Sequence, residues 1–324
     1  MTASVSHAPA SERLAREVEP GVFLLDHHFR GSPRVIASYL IAGDRDALTL
    51  VEAGPASTTD TLLAGVRQAG FDPARIERVI VTHIHLDHAG AAGTLVRRLP
   101  RARVYVHPVG APHLVDPSKL MASATRIYGA LMGPLWGEML PVPEERLVVL
   151  ADGETVDAGG RVLRAHDTPG HANHHLALHD ARSGALFTGD VAGVRLDGVS
   201  YVRPPTPPPE FDPARWQESI AKLRGLAPRR LYLTHFGACD DVTWHLDELL
   251  ARVWLWAGWV GGRLSTGEEP PATSEALARI EDALLADSAG DPSLVRRYEE
   301  AGNYRMSVDG IARWWRKRGE QREG

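Results

Sequence analysis

Cysteine is almost missing from this sequence: Cys239 is the only one in 324 residues. No internal disulfide can form, which points to a reducing compartment and predicts cytoplasmic residence. Long apolar runs are missing too. No stretch of about 18 apolar residues is present to cross a membrane. The opening MTASVSHAPASERLAREVEP lacks the apolar segment of a secretory leader, so residues 1–20 read as an N-terminal tail. Lysine is scarce, with Lys119, Lys222 and Lys317 alone among 36 basic residues. Basic charge does not dominate either. A net charge of -5 and a pI near 6.3 give no footprint for nucleic acid. These absences leave a globular protein of one large domain or two modest ones, acting on a small molecule with neither nucleic acid nor membrane as partner.

The segments GVFLLD (21–26), VIASYLIA (35–42) and ALTLVEA (47–53) read as strands divided by turn residues. A helix follows over 58–69, and RVIVTH (78–83) reads as a buried strand. Helix 90–99 and strand 103–107 complete a β-loop-α-β unit. Residues 108–146 hold Pro108, Pro112, Pro117, Pro134, Pro141 and Pro143 among helical pieces, which predicts an insertion over one face. Strands recur at 147–150, 161–167, 174–179 and 185–188. A helix near 213–226 and the strand RLYLTH (230–235) follow the proline-rich RPPTPPPEFDP (203–213). Helices alone remain: 241–260, 274–287, 291–302 and 307–318. This order predicts an α/β domain over 21–240 and a helical C-terminal portion over 241–324. In WHLDELLARVWLWAGWV, Leu246, Leu249, Leu250, Val253, Ala257 and Val260 follow helical spacing. Trp254, Trp256 and Trp259 cannot all share that face, and the surplus suits a homodimer interface or a pocket roof.

Histidine, by contrast, is concentrated. VTHIHLDHAG (81–90) sets three histidines and an aspartate within six positions at the end of a strand. Imidazole nitrogen and carboxylate oxygen are the ligands a divalent transition ion takes when no thiolate is offered. On an extended segment residues i and i+2 point the same way, so His83 and His85 can share one ion. Asp87 and His88 then turn toward a second. Each later candidate also ends an apolar strand: His171 after LRAHDTPG, Asp190 after ALFTG, His235 after RLYLT. A rigid sheet holds such positions in place, as preorganised ligands require.

With these residues in view, the sequence resembles the metallo-β-lactamase superfamily. Its His-x-His-x-Asp-His motif stands here as His83, His85, Asp87 and His88, with His171 in TPGH, Asp190 in TGD and His235 in THFG. The resemblance covers residues 20–240. It implies an αββα sandwich with the site at one edge of two sheets, followed here by the helical extension. It further implies two divalent ions, zinc before iron or manganese: His83, His85 and His171 on the first, Asp87, His88 and His235 on the second, and Asp190 bridging. Departures from relatives narrow the function. The zinc β-lactamases carry cysteine where Asp190 stands, and the flavodiiron proteins carry glutamate where His85 stands. The family's nucleases need a basic surface and an RNA-binding arm. Lactonases and glyoxalase II-like thioesterases remain. THIHLDHAG is close to the lactonase form, and His175 matches a histidine of the lactonase TPGHTPGH pattern. Those lactonases place a tyrosine three residues after the bridging aspartate, where this chain has Gly193, so Tyr201, or Tyr128 from the insertion, is expected to replace it.

Two cations that share an oxygen lower the pKa of bound water from roughly 15.7 to 7 and supply hydroxide at neutral pH. One of them also polarises the carbonyl under attack. No serine or cysteine nucleophile is needed, so Cys239 reads as structural. Catalysis is assigned to Asp87, Asp190 and Tyr201. The reading is a dinuclear hydrolase of an ester-like bond, lactone or carboxylic ester first and thioester next. Two other classes stay open: a mononuclear iron persulfide dioxygenase, and a metal-stabilised binding module without catalysis. Met121, Tyr128, Leu131, Met132 and Trp136 are expected to give the pocket an apolar lining. His174 or His175 is expected to support a ligand, and Asp26, His27 and His28 read as a solvated turn.

Overall fold

The computed structural model describes residues 13–43, 47–196, 198–289 and 291–323. The first sheet holds β1 (Ala15–Glu19), β2 (Val22–Asp26), β3 (Ala37–Ala42), β4 (Leu48–Val51), β5 (Ile76–Ile80), β6 (Arg103–Val106) and β7 (Leu147–Val149), in that spatial order. β1 to β4 pair antiparallel and β4 to β7 parallel. The second holds β8 (Thr155–Asp157), β9 (Val162–Asp167), β10 (Leu176–Asp180), β11 (Ala185–Gly189), β12 (Arg230–Leu233) and β13 (Gly237–Cys239), again in chain order. Alternation decides which way each side chain faces. Tyr39 and Ile41 of β3 enter the apolar layer between the sheets, while Leu40 faces the outer helices. Leu176 and Leu178 of β10 meet them from the other sheet.

Helices α1 (Thr59–Gln68), α2 (Leu86–Ala89) and α3 (Ala92–Arg98) flank the first sheet, and Leu62, Val66, Leu95 and Val96 bury the outer layer there. The insertion folds as α4 (Ala111–Val115), α5 (Ser118–Tyr128) and α6 (Met132–Trp136). α7 (Pro213–Gly225) starts where the Asp212 side chain accepts the amides of Ala214 and Arg215, and Trp216, Ile220 and Leu223 cover the second sheet. The result is the αββα sandwich. α8 (Val242–Ser265), α9 (Pro270–Ala289), α10 (Pro292–Ala301) and α11 (Tyr304–Glu323) complete the chain. Among the described residues no helix is long and apolar enough to cross a membrane.

Two expectations change. Residues 1–20 are not wholly a tail: β1 pairs with β2, its charged AREVE hiding a strand, and residues 1–12 lie outside the described residues. The helical portion is built into both outer layers, with Leu285, Leu294 and Tyr298 in one and Leu277, Val308 and Ile311 in the other. Trp256 is buried in the second of these, while Trp254 stays exposed.

Candidate metal centre

Strand direction brings the candidate ligands to one edge. β9 and β11 are both antiparallel to β10, and β11 is parallel to β12, so all three end on the same side. His171, Asp190 and His235 follow them, and His83 and His85 arrive after β5, with Asp87 and His88 on α2. Gly189, just before Asp190, has φ +48°, and a Cβ there would stand 2.4 Å from Thr82 Oγ1 and 2.7 Å from His175 Nε2. Only glycine lets the two sheets close this tightly.

One trio is all histidine. Nδ1 of His85 lies 3.0 Å from His83 Nε2 and 2.9 Å from His171 Nε2. The far nitrogens of the latter two are already committed: His83 Nδ1 lies 3.0 Å from Thr82 Oγ1, and His171 Nδ1 donates to the Pro205 carbonyl at 2.8 Å. A second trio joins Asp87, His88 and His235. Nδ1 of His88 donates to Glu52 Oε1 at 3.1 Å and Nδ1 of His235 to the Val35 carbonyl at 2.8 Å, so both present Nε2 inward. Asp190 stands between the trios. Its Oδ2 is 3.4 Å from His171 Nε2, and its Oδ1 is 3.2 Å from His88 Nε2 and 3.4 Å from His235 Nε2.

This donor set fits divalent cations. His88 Nε2, His235 Nε2 and Asp190 Oδ1 are buried and face one another without a hydrogen bond. Buried polar groups are seldom left so, unless an ion completes them. Burial, then the neighbouring rings, depresses the basicity of His83 and His85 far below that of free imidazole, leaving neutral donors. Burial would do the same to His88, but Asp190, Asp87 and Glu52 overcome it and raise its pKa well above the ordinary value. Burial works against ionised Asp190, yet His88, His171 and His235 hold its pKa far down.

The structure thus gathers all seven candidate ligands, and it adds residues that the sequence reading missed. Glu52, buried at the end of β4 with φ 69°, accepts from Thr82 Oγ1 at 2.5 Å, Thr234 Oγ1 at 3.2 Å and His88. Its only sequence signal was an acid closing a strand before glycine. His175 accepts the Asp190 amide at 3.1 Å through Nε2, which leaves its Nδ1 to donate to Thr168 Oγ1. It therefore supports a candidate ligand, as expected. Other expectations are corrected. Tyr201 is buried with its hydroxyl on Glu281 at 2.7 Å, turned into the C-terminal helices. Asp26 and His27 form no solvated turn: His27 is fully buried between Thr58 and Ser38, each at 2.7 Å. Leu131 is 57% exposed and stands outside the apolar layer, whereas Met121, Tyr128, Met132 and Trp136 pack into it beside α2.

Residues 31–235 match the profile of the metallo-beta-lactamase superfamily. In fold the chain is similar to a metallo-beta-lactamase family protein of Thermus thermophilus, with a TM-score of 0.69, 20% identity, and 94% of this chain and 95% of that one covered. It is 26% identical over 225 residues to a metallo-beta-lactamase fold-containing protein of Sulfurisphaera tokodaii, 68% of this chain and 80% of that one. It is 28% identical over 220 residues to the hydroxyacylglutathione hydrolase of Stenotrophomonas maltophilia, 67% of each chain.

Proposed function

The chain belongs to the metallo-beta-lactamase superfamily, and on that premise we propose that it is a dinuclear metal-dependent hydrolase of an ester-like bond in a small molecule. One observation carries the count of two: the Asp190 carboxylate turns one oxygen toward each trio. Zinc is the assignment for a site of imidazole nitrogen and carboxylate oxygen. When bound, such a pair supplies Lewis acidity and hydroxide at neutral pH.

The chain's own residues do the rest. Glu52, Val35 and Pro205 fix the ring tilt of His88, His235 and His171. His85 and Asp87 are the only two of the seven that are not fully buried, and they mark the side from which substrate enters. Tyr128 stands beside that side. Burial, then the charge of Asp87, pushes its pKa far up, so it stays a donor, and its hydroxyl has only the weak acceptor Met306 Sδ at 2.9 Å. In place of Tyr201, Tyr128 is the group we assign to the substrate carbonyl. Trp136 stacks on Phe29 and meets Tyr128 edge-on, giving an apolar wall for an acyl chain. Thioesters move level with lactones and carboxylic esters, because a relative at 28% identity is named for one. The lone, buried Cys239 keeps the cytoplasmic assignment.

The test is a screen of zinc-loaded protein against lactones, thioesters, aryl esters and phosphodiesters, with oxygen uptake measured alongside. Turnover of an ester or thioester without oxygen use is expected. Oxygen consumption with one iron per chain would replace this reading by the persulfide dioxygenase, and no turnover of any substrate would favour the binding module.

A further inference from the structure

Away from the seven ligands, a cavity of about 750 Å³ lies among α9, α10, α11 and the turn after β2. That volume falls in the range of small-molecule sites, roughly 300–1,000 Å³. Its charges are divided by wall. From α9 come Glu275 and Asp282, acids only; from α10 and α11 come Arg296 and Arg305, with Glu299 and Glu300; from the turn comes Arg30. Several of these are already engaged, Asp282 by the Tyr304 hydroxyl at 2.8 Å and Arg305 by Asp309 at 2.9 Å. Others are not. Glu275 and Arg296 are exposed and have no hydrogen bond or ion pair among the described residues. Glu300 is the sharper case. Its side chain is only 8% exposed, Oε1 lies 3.9 Å from Arg30, and Oε2 is buried with no hydrogen-bond partner among the described residues. A buried carboxylate oxygen left bare costs stability unless a donor arrives.

Arg30 links this cavity to the metal centre. It sits at the tip of a short turn that Asp26 closes by accepting the amides of His28 at 3.1 Å and Arg34 at 2.7 Å. The backbone bond from His27 to Ile36, 3.0 Å, shuts its base. Inside it His28, Arg30 and Arg34 hold left-handed φ of 44°, 55° and 62°, a conformation that persists only where surroundings impose it. The same turn ends at Val35, whose carbonyl holds the His235 ring at 2.8 Å. Arg30 and the Val35 carbonyl are thus joined by one short, hydrogen-bonded stretch of backbone.

We propose that this cavity binds a small linear zwitterion, an ω-amino acid or short peptide, with its ammonium at Glu275 and Glu300 and its carboxylate at Arg296, and that the Arg30 turn transmits occupancy to His235. The coupling rests on the reading of His235 as a ligand of a second ion, while the binding does not. Linkage is reciprocal: the zwitterion and the second ion alter each other's affinity by the same factor.

The probe is 6-aminohexanoate, whose charges lie too far apart to chelate an ion, with hexylamine and hexanoate as single-charge controls. Calorimetry on the metal-free full chain requires no turnover, so a protein inactive on every ester still tests the cavity. Saturable binding of 6-aminohexanoate well above either control is expected, weakened about tenfold by Glu275→Gln or Arg296→Gln, both exposed positions where folding is not at stake. Absent binding, equal binding of all three probes, or binding untouched by both variants would overturn the site. Zinc competition against a chelator should then show the second ion's affinity shifted about fivefold by saturating probe in the wild type and unshifted in Arg30→Ala. Binding without that shift, or purely competitive inhibition of turnover, would overturn the coupling.

Discussion

The two halves of the metal centre share Asp190 and differ in nearly everything else. His83, His85 and His171 form a set of neutral rings in which His85 Nδ1 lies 3.0 Å from His83 Nε2 and 2.9 Å from His171 Nε2. Asp87, His88 and His235 form a charged set, with Glu52 behind His88 and Asp190 in front. A cation therefore gains lone pairs in the first half and charge neutralisation in the second. The first should tolerate the loss of a carboxylate behind it, and the second should not.

Asp190 belongs to both halves, so its change has the largest expected effect. Asp190→Asn keeps the shape and removes the anion. The single-turnover rate should fall by more than about a hundredfold, with the second ion weakened and substrate binding affected less. A variant that keeps two ions and near-normal turnover would end the bridging assignment. Next come the ring deletions. Elemental analysis should find that His235→Ala loses mainly the second ion and His171→Ala mainly the first; equal loss of both from either variant would erase the distinction. Glu52→Gln is subtler, since an acceptor for His88 remains while its charge goes. Second-ion affinity should drop by about ten- to a hundredfold with the first, which Glu52 reaches only through Thr82, affected less, as measured by chelator competition.

The smallest effect separates these losses from general acid unfolding. His245 belongs to neither trio; it is buried and bonded to the Ala192 carbonyl at 2.7 Å, and burial lowers its pKa to about 4. Unfolded, it would titrate near its ordinary value of 6.5. Between those values the unfolded chain binds the extra proton. Stability present above pH 6.5 is thus lost as pH falls toward 4, by at most about 1.4 kcal/mol per unit. In metal-free protein His245→Gln should flatten that slope, as denaturant unfolding at stepped pH would reveal. An unchanged slope would assign the acid sensitivity to other buried histidines, His27 and His174 or the trios.

All seven candidate ligands could be read from the sequence because each stands in a dense motif or ends an apolar strand. The αββα order was legible for the same reason, in strands long enough to show a period of two. β8 and β13, three residues each, were not. Glu52 was hidden because its role exists only once β4 lies beside β5 and Thr234 arrives from the other sheet. Tyr201 was misplaced by its nearness in sequence to Asp190. The chain doubles back through the Val194–Arg203 bridge and delivers the ring to Glu281, a residue 80 positions away.

The placement of ligands along the chain also sets a timetable. Synthesis runs from the N-terminus, so His83, His85, Asp87 and His88 emerge long before His171, Asp190 and His235. Until β12 joins β11, the first sheet can hold those four but lacks the three that the second sheet supplies. On the dinuclear reading the site is complete only when both sheets are, and it would then draw on whatever ions its surroundings hold. Nitrogen and oxygen ligands of this kind accept several divalent ions, so expression in cells fed different metals should yield differently loaded copies of one unchanged fold.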